Sequence, residues 1–250
     1  METYLITGTS RGLGEALAYQ LLDPKHRLIC ISRGENQKLV AAAAQRGCEL
    51  HYHQLDLVDV AASEAWMEAQ LKQLTETTCS RLVVVHNAGL LHPIKLVGKG
   101  SSAQEVTDSM QANLLSPMRM TEAMVRHTQR WAIPKQVLMI SSGAGRKPMA
   151  SWSTYCTTKA GLDMFARCVA LEQAVQDHPV KVVSLAPGVV DTFMQGYIRK
   201  QSHETFPNVQ RFLSLHADGL LSTPEFAAQQ LISWLNKPDF GQEVIADVRG

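Results

Sequence analysis

The sequence has no excess of either charge: 24 Lys and Arg stand against 23 Asp and Glu, a formal net charge of +1. A surface that grips nucleic acid or anionic lipid needs basic residues in excess and gathered on one face, so the balance points to small molecules or other protein chains as partners. Cysteine is sparse as well. Cys30, Cys48, Cys79, Cys156 and Cys168 are odd in number and contain no C-x-x-C pair, which argues against a disulfide framework and against structural zinc. No apolar run reaches the ~18 residues that cross a bilayer, and the opening METYLITGTS has neither the basic region nor the apolar stretch of a secretion signal. The expected setting is the reducing cytoplasm. With no internal repeat, low-complexity tract or Pro/Ser-rich linker, residues 1–250 are read as one domain.

What the chain does have is alternation. Short β-branched runs at 4–7, 27–32, 49–55, 81–85, 136–140, 181–186 and 243–246 read as strands. Between them, 13–22, 36–46, 61–74, 103–114, 117–131, 154–176 and 224–235 carry apolar residues at helical spacing. Several strands are apolar at nearly every position, as strands of a parallel sheet are when helices cover both faces. Right-handed crossovers then make an α/β doubly wound sheet the economical topology, with ligand sites at the carboxyl ends of the strands.

The first motif with chemistry in it is TGTSRGLG at 7–14, which joins the first strand to the first helix. Gly8, Gly12 and Gly14 permit a tight turn, close backbone approach and close helix packing. Together with Ser10, Arg11 and Leu13 they put a helix N-terminus, with its unpaired N–H groups, where a pyrophosphate can sit. An acidic residue ending the second strand would accept hydrogen bonds from a ribose with a free 2′-OH. Here the strand ends in Ser32 and Arg33, and Arg33 with Arg11 can hold a 2′-phosphate, which favours NADP(H); Glu35, two residues on, leaves NAD(H) open. Asp56 and Leu57 after the third strand suit the adenine, and Asn87, Ala88 and Gly89 after the fourth let the backbone come close to the dinucleotide.

The catalytic candidates lie in ISSGAGRKPMASWSTYCTTKAG at 140–161, where a strand ends in Ser141 and Ser142 and a helix carries Tyr155 and Lys159. Residues four apart share a helix face, so the Lys159 ammonium can stabilise a Tyr155 phenolate. Lowering a phenol by ~2–3 units toward working pH takes about 3–4 kcal/mol, which Lys159 and an oxidised nicotinamide are expected to supply between them.

In this order and spacing, TGTSRGLG, NAG, Ser142, YCTTK and APGVVDT resemble the short-chain dehydrogenase/reductase family over essentially the whole chain. The resemblance implies a Rossmann-type, seven-stranded parallel sheet and a tetrad of Asn113, Ser142, Tyr155 and Lys159. Tyr155 would protonate the carbonyl oxygen, Ser142 would hydrogen-bond it, Lys159 would bind the nicotinamide ribose, and Asn113 would hold a helix distortion and a water. Pro187, Gly188, Val190 and Thr192 match the segment that contacts the nicotinamide. His86 departs from the family, which more often has Asn there, with a sheet-edge hydrogen bond as the expected casualty. A homodimer is implied, built on the helices around 117–131 and 154–176.

Within the family, 151–164, 184–195 and 217–231 resemble the branch of sepiapterin reductases and bacterial reductases of benzil. That branch implies an NADPH-dependent carbonyl reductase of aromatic or vicinal dicarbonyl compounds. Other alcohol or ketone chemistry of the family, or a non-catalytic NADP(H) sensor, are the alternatives. Asp247 is the nearest candidate for a pterin-anchoring carboxylate, in a register displaced by about one residue. Trp152, Phe193 and Met194, with Met149, Tyr197, Leu90 and Leu91, are expected around the substrate, since aromatics and methionines line adaptable pockets. Residues 191–216, helix-poor in pattern and interrupted by Pro207, are expected to form a lid. His51 and His53 share a strand face without a third ligand, and no metal site is expected.

Overall fold

The computed structural model describes residues 1–249. Its centre is a seven-stranded parallel sheet in the order β3-β2-β1-β4-β5-β6-β7. The strands are β1 (Glu2–Thr7), β2 (His26–Ser32), β3 (Glu49–Gln54), β4 (Arg81–His86), β5 (Lys135–Ile140), β6 (Val180–Ala186) and β7 (Ile245–Asp247). All seven expected strands are present, with β7 starting two residues later than expected. Its register runs from Ser184 opposite Ile245 to Ala186 opposite Asp247.

The helices are α1 (Gly12–Gln20), α2 (Gln37–Gln45), α3 (Val60–Gln73), α4 (Ala103–Met110), α5 (Ser116–Thr128), α6 (Ser153–Gln173), α7 (Phe193–Arg199), α8 (Val209–Ala217) and α9 (Pro224–Leu235). One apolar core lies between the sheet and α1, α2 and α9, gathered around Leu17, Leu39 and Leu231. The other lies under α3, α5 and α6, around Met67, Met120 and Ala166. Since both faces are covered, β5 is buried at every position. Edge strand β3 is not, and its His51 and His53 stay partly in solvent. No described helix is long and apolar enough to cross a membrane.

Strand order reverses between β1 and β4, which pair in parallel through Ile6 and Val85 while β1 pairs with β2 on its other side. A crevice opens there at the carboxyl ends of the strands, the place where doubly wound sheets take ligands.

Three local features differ from expectation. The helices expected at 103–114 and 117–131 are continuous, joined by a π-helical turn at Gln111–Leu115. Pro117 has no N–H to give the Asn113 carbonyl four residues back, and the Ser116 N–H reaches past it to Gln111. The stretch 191–216 is not helix-poor: α7 and most of α8 lie in it, with Ile198, Val209 and Phe212 buried. His86 is not at a sheet edge, because β4 is paired on both sides. Its buried Nε2 meets the Thr121 hydroxyl at 2.9 Å instead.

Candidate active site

Gly8 and Gly12 adopt φ of +77° and +66°, the left-handed region that a glycine enters without strain. A Cβ on Gly14 would fall far inside contact distance of the Gly8 carbonyl and Asn87 Nδ2. Asn87 closes the turn by donating through Nδ2 to the carbonyls of Thr7 and Gly8 at 2.9 and 3.2 Å. The Asn87 and Ala88 N–H groups both donate to Thr7 Oγ1 at 3.0 Å. The turn is therefore held open as a backbone cradle before α1. Buried Asn36, which caps α2 through the Leu39 N–H, ties the cradle to that helix by donating to the carbonyls of Thr9 and Ser10.

A cavity of about 1110 Å³ runs from this cradle along the strand ends. Every residue expected to hold the dinucleotide lines it except Gly14, which lies beneath the turn. At one end are Ser32, Arg33, Asp56 and Leu57; in the middle Gly8, Ser10, Arg11, Gly12, Leu13, Asn87, Ala88 and Gly89; beyond them Pro187, Gly188, Val190 and Thr192. Ser32 Oγ donates to the Gly34 carbonyl at 2.7 Å, and the exposed Arg33 pairs with no carboxylate among the described residues. Arg11 lies over the Phe193 ring, 3.9 Å from its centroid. The glycine cradle fits the pyrophosphate of a dinucleotide, and Arg11, like Arg33, makes no salt bridge among the described residues.

At the far end Ser142, Tyr155 and Lys159 line the cavity, whereas Asn113 sits behind it. Asn113 is buried, donates to the Leu90 carbonyl at 2.7 Å and accepts from the Leu90 N–H at 2.6 Å. The π-helical turn thus pins the strand-end loop that carries Gly89, whose own Cβ position is 3.8 Å from Lys159 Nζ. Lys159 Nζ donates to the Ile140 carbonyl at 2.7 Å and lies 5.7 Å from the centroid of the Tyr155 ring.

In the protein alone, burial is the dominant influence on the Tyr155 phenol. Burial pushes the phenol up to about 12, with a hydrogen bond to Ser142 pulling the other way. The ammonium is turned toward a backbone carbonyl, and burial brings Lys159 itself down to about 8, opposed by the negative charge of Asp163. For both groups desolvation is the largest influence.

Around the substrate end, Met149, Trp152, Met194, Tyr197, Leu90 and Leu91 line the cavity as expected. Phe193 lines it too, yet is 64% exposed under Arg11, so it borders the dinucleotide side more than it walls a buried pocket. Phe206 and Phe212 were missed. Phe206 is fully buried and stacks on Trp152, and Phe212 packs on both with centroids 5.5 and 5.6 Å away. Trp152 in turn meets the Tyr155 ring edge-on at 5.6 Å. These rings belong to a third apolar cluster with Leu91, Ile94 and Ile198. Asp247 lines the cavity but is engaged by Arg249, whose Nε and Nη2 donate to its two oxygens at 2.8 and 2.7 Å.

The sequence profile of the short chain dehydrogenase family matches residues 2–203. Over 246 residues the chain is 43% identical to the benzil reductase ((S)-benzoin forming) of Bacillus cereus, covering 98% of each protein. Over 218 residues it is 32% identical to the sepiapterin reductase of Xenopus tropicalis, covering 84% of this chain and 81% of that one. Among solved structures, the crystal structure of the KRED1-Pglu enzyme is similar with a TM-score of 0.82 at 28% identity, over 97% of this chain and 99% of the other.

Proposed function

The chain belongs to the short-chain dehydrogenase family and is an oxidoreductase that works between alcohols and carbonyl compounds with a nicotinamide dinucleotide; from that premise we propose that it is an NADPH-dependent reductase of aromatic or vicinal dicarbonyl compounds such as benzil. The observation that carries this reading is the aromatic and aliphatic wall of Trp152, Phe212, Met149 and Leu91 set against Tyr155. It suits a flat, apolar substrate with few polar groups. A pterin is less well served, because the Asp247 carboxylate already accepts both Arg249 bonds.

When bound, the nicotinamide supplies the hydride. The protein's part is orientation and proton delivery. A phenol raised to about 12 keeps its proton at neutral pH, so Tyr155 serves as the acid that protonates the carbonyl oxygen in reduction. Ser142, which lines the same end of the cavity as Tyr155, polarises the same oxygen. Lys159 would hold the ribose hydroxyls and the backbone at Gly8–Gly14 would receive the phosphates, while Asn113 holds the loop behind Lys159. Arg11 and Arg33 support the reading of a 2′-phosphate, and hence of NADP(H) over NAD(H).

The same reading takes residues 1–250 as one domain and 191–216 as a lid, supported by the way Phe206 and Phe212 reach over Trp152. Equal protease sensitivity of that segment with and without NADPH and substrate would overturn the lid. Exposed Met164 and Leu171 on α6, with Val175 just past its end, support a homodimer, and a monomer mass by light scattering would count against it. Five free cysteines support a cytoplasmic setting.

The deciding experiment is NADPH oxidation against benzil, small 1,2-diketones and sepiapterin, repeated with NADH and with Tyr155→Phe. Turnover of benzil with NADPH, lost in Tyr155→Phe, is expected. Activity that survives the substitution, or that prefers simple monoketones to every diketone, sinks the assignment.

A further inference from the structure

One turn beyond Lys159 on α6 lies Asp163, a carboxylate only 3% exposed. Its Oδ1 accepts from Ser141 Oγ at 2.6 Å and from Ser184 Oγ at 2.7 Å, and its Oδ2 accepts from Arg146 Nε at 3.4 Å. These donors come from three places: the end of β5 directly before Ser142, the middle of β6, and the turn directly after Ser142. Arg146 also donates through Nη2 to the Ala246 carbonyl of β7 at 2.7 Å. Between Ser142 and Arg146 the chain runs so close to α6 that a Cβ on Gly145 would sit 2.9 Å from the Lys159 carbonyl carbon. One buried anion therefore gathers the loop that presents Ser142 onto the helix that presents Tyr155 and Lys159.

We propose that Asp163 is a positioning residue for the reaction: its carboxylate locks the Ser142 loop against α6 and is a buried negative charge one helical turn from Lys159. This rests on the reading of Ser142, Tyr155 and Lys159 as the groups that act on the carbonyl. Burying a carboxylate is costly unless it is well satisfied, and three donors from separate elements make Asp163 a stiff joint rather than a loose one. Misplacement of a reacting group by about 1 Å can cost on the order of 100-fold in rate, so a joint of this kind bears on turnover more than on binding. The electrostatic part concerns Lys159. Tyr155 and Asp163 lie four residues to either side of it on its own helix and Arg146 is bonded to Asp163, while Gly89, Asn113 and Ile140, which approach from the other elements, carry no charge. Asp163 opposes the desolvation that drives the ammonium toward neutrality.

The test compares Asp163→Asn with Ser184→Ala, using whichever carbonyl compound the wild type turns over and, separately, NADPH binding by fluorescence. Asp163→Asn is expected to lower kcat by about 10- to 100-fold with NADPH affinity changed by less than about 3-fold. The alkaline limb of its pH–rate profile is expected to move down by about one unit, since an ammonium without its counter-charge loses its proton earlier. Ser184→Ala keeps the charge, so its limb stays in place while kcat falls only a few-fold. A limb that does not move in Asp163→Asn, or a loss of thermal stability with unchanged kcat per folded molecule, overturns the proposal. If Asp163→Asn does not fold, Arg146→Gln reads the same electrostatics with the opposite sign: the limb must move up, and a stationary limb rejects the role. Tyr155→Phe separates the two levels, because retained turnover there defeats the underlying reading, whereas dead Tyr155→Phe beside unaltered Asp163→Asn defeats only this one.

Discussion

Phe206 lies flat on Trp152, ring centroids 5.0 Å apart and planes 4° from parallel. Phe206 does not itself line the cavity, so its effect on substrate passes through the indole it holds against Tyr155. Stacked aromatic pairs contribute about 0.5–1.5 kcal/mol beyond the area they bury.

Replacing Phe206 by Leu keeps an apolar side chain in the cluster and removes the flat stack. The KM for benzil is then expected to rise about 5-fold, the equivalent of roughly 1 kcal/mol, with a small aliphatic diketone little affected. Steady-state kinetics on both substrates decide it. An equal change for the two would mean that Trp152 does not serve as a wall for an arene.

The cofactor end makes a separate prediction. Arg33 is exposed and unpaired among the described residues, so its substitution costs the fold little. A charge-assisted hydrogen bond to a phosphate contributes about 1.5–3 kcal/mol, and Arg33→Asp is therefore expected to cut kcat/KM for NADPH by about 10- to 100-fold while leaving NADH unchanged or improved. Parallel titrations with the two cofactors check this. Robust wild-type turnover with NADH but not NADPH would overturn the reading of Arg11 and Arg33 together.

Much of this was legible in the sequence because the relevant signals are local. Alternating apolar strands and periodic helices announce a covered parallel sheet, and Gly8–Gly14 and Tyr155–Lys159 are short motifs whose spacing carries their geometry. The parts that were not legible depend on distance along the chain. Phe206 lies directly before Pro207 and Phe212 on the short α8 beyond it, and their importance comes from Trp152, far upstream. Asp163 reads as one more residue on α6, because nothing local reveals that Ser141, Ser184 and Arg146 converge on it. The join between α4 and α5 looked like a gap because Pro117 normally marks one; here the missing N–H is absorbed by a π-helical turn. At Tyr155, motif spacing shows the neighbouring charge and hides the desolvation.

Two glycines separate steric need from mere occurrence. At Gly14 a Cβ would press on the Gly8 carbonyl, a backbone atom that cannot swing away, whereas Gly196 on α7 has nothing within 4 Å of that position. Gly14→Ala is expected to abolish NADPH binding and lower the Tm sharply. Gly196→Ala is expected to raise stability by about 0.5–1 kcal/mol, because alanine loses less backbone freedom in a helix. Thermal melts of the two variants, with and without NADPH, check both; a benign Gly14→Ala would contradict the close-packed turn.

His86 should make the protein acid-sensitive. The imidazole is buried, its Nε2 meets Thr121, its Nδ1 has no partner, and burial lowers its pKa to about 3. The unfolded chain takes up a proton near 6.5 while the folded one does not. Because the folded-state pKa lies below the unfolded one, the stabilising contribution is fully present above pH 6.5 and is lost as pH falls toward 3. Between pH 7.5 and 5 this amounts to about 2 kcal/mol at roughly 1.36 kcal/mol per unit. His86→Asn removes the titrating ring, so its unfolding free energy should fall less over that range than the wild type's, by about the same 2 kcal/mol, whatever the substitution costs at neutral pH. Urea unfolding at both pH values measures it. Parallel pH dependences in the two proteins would show that the proton taken up on unfolding belongs to another group.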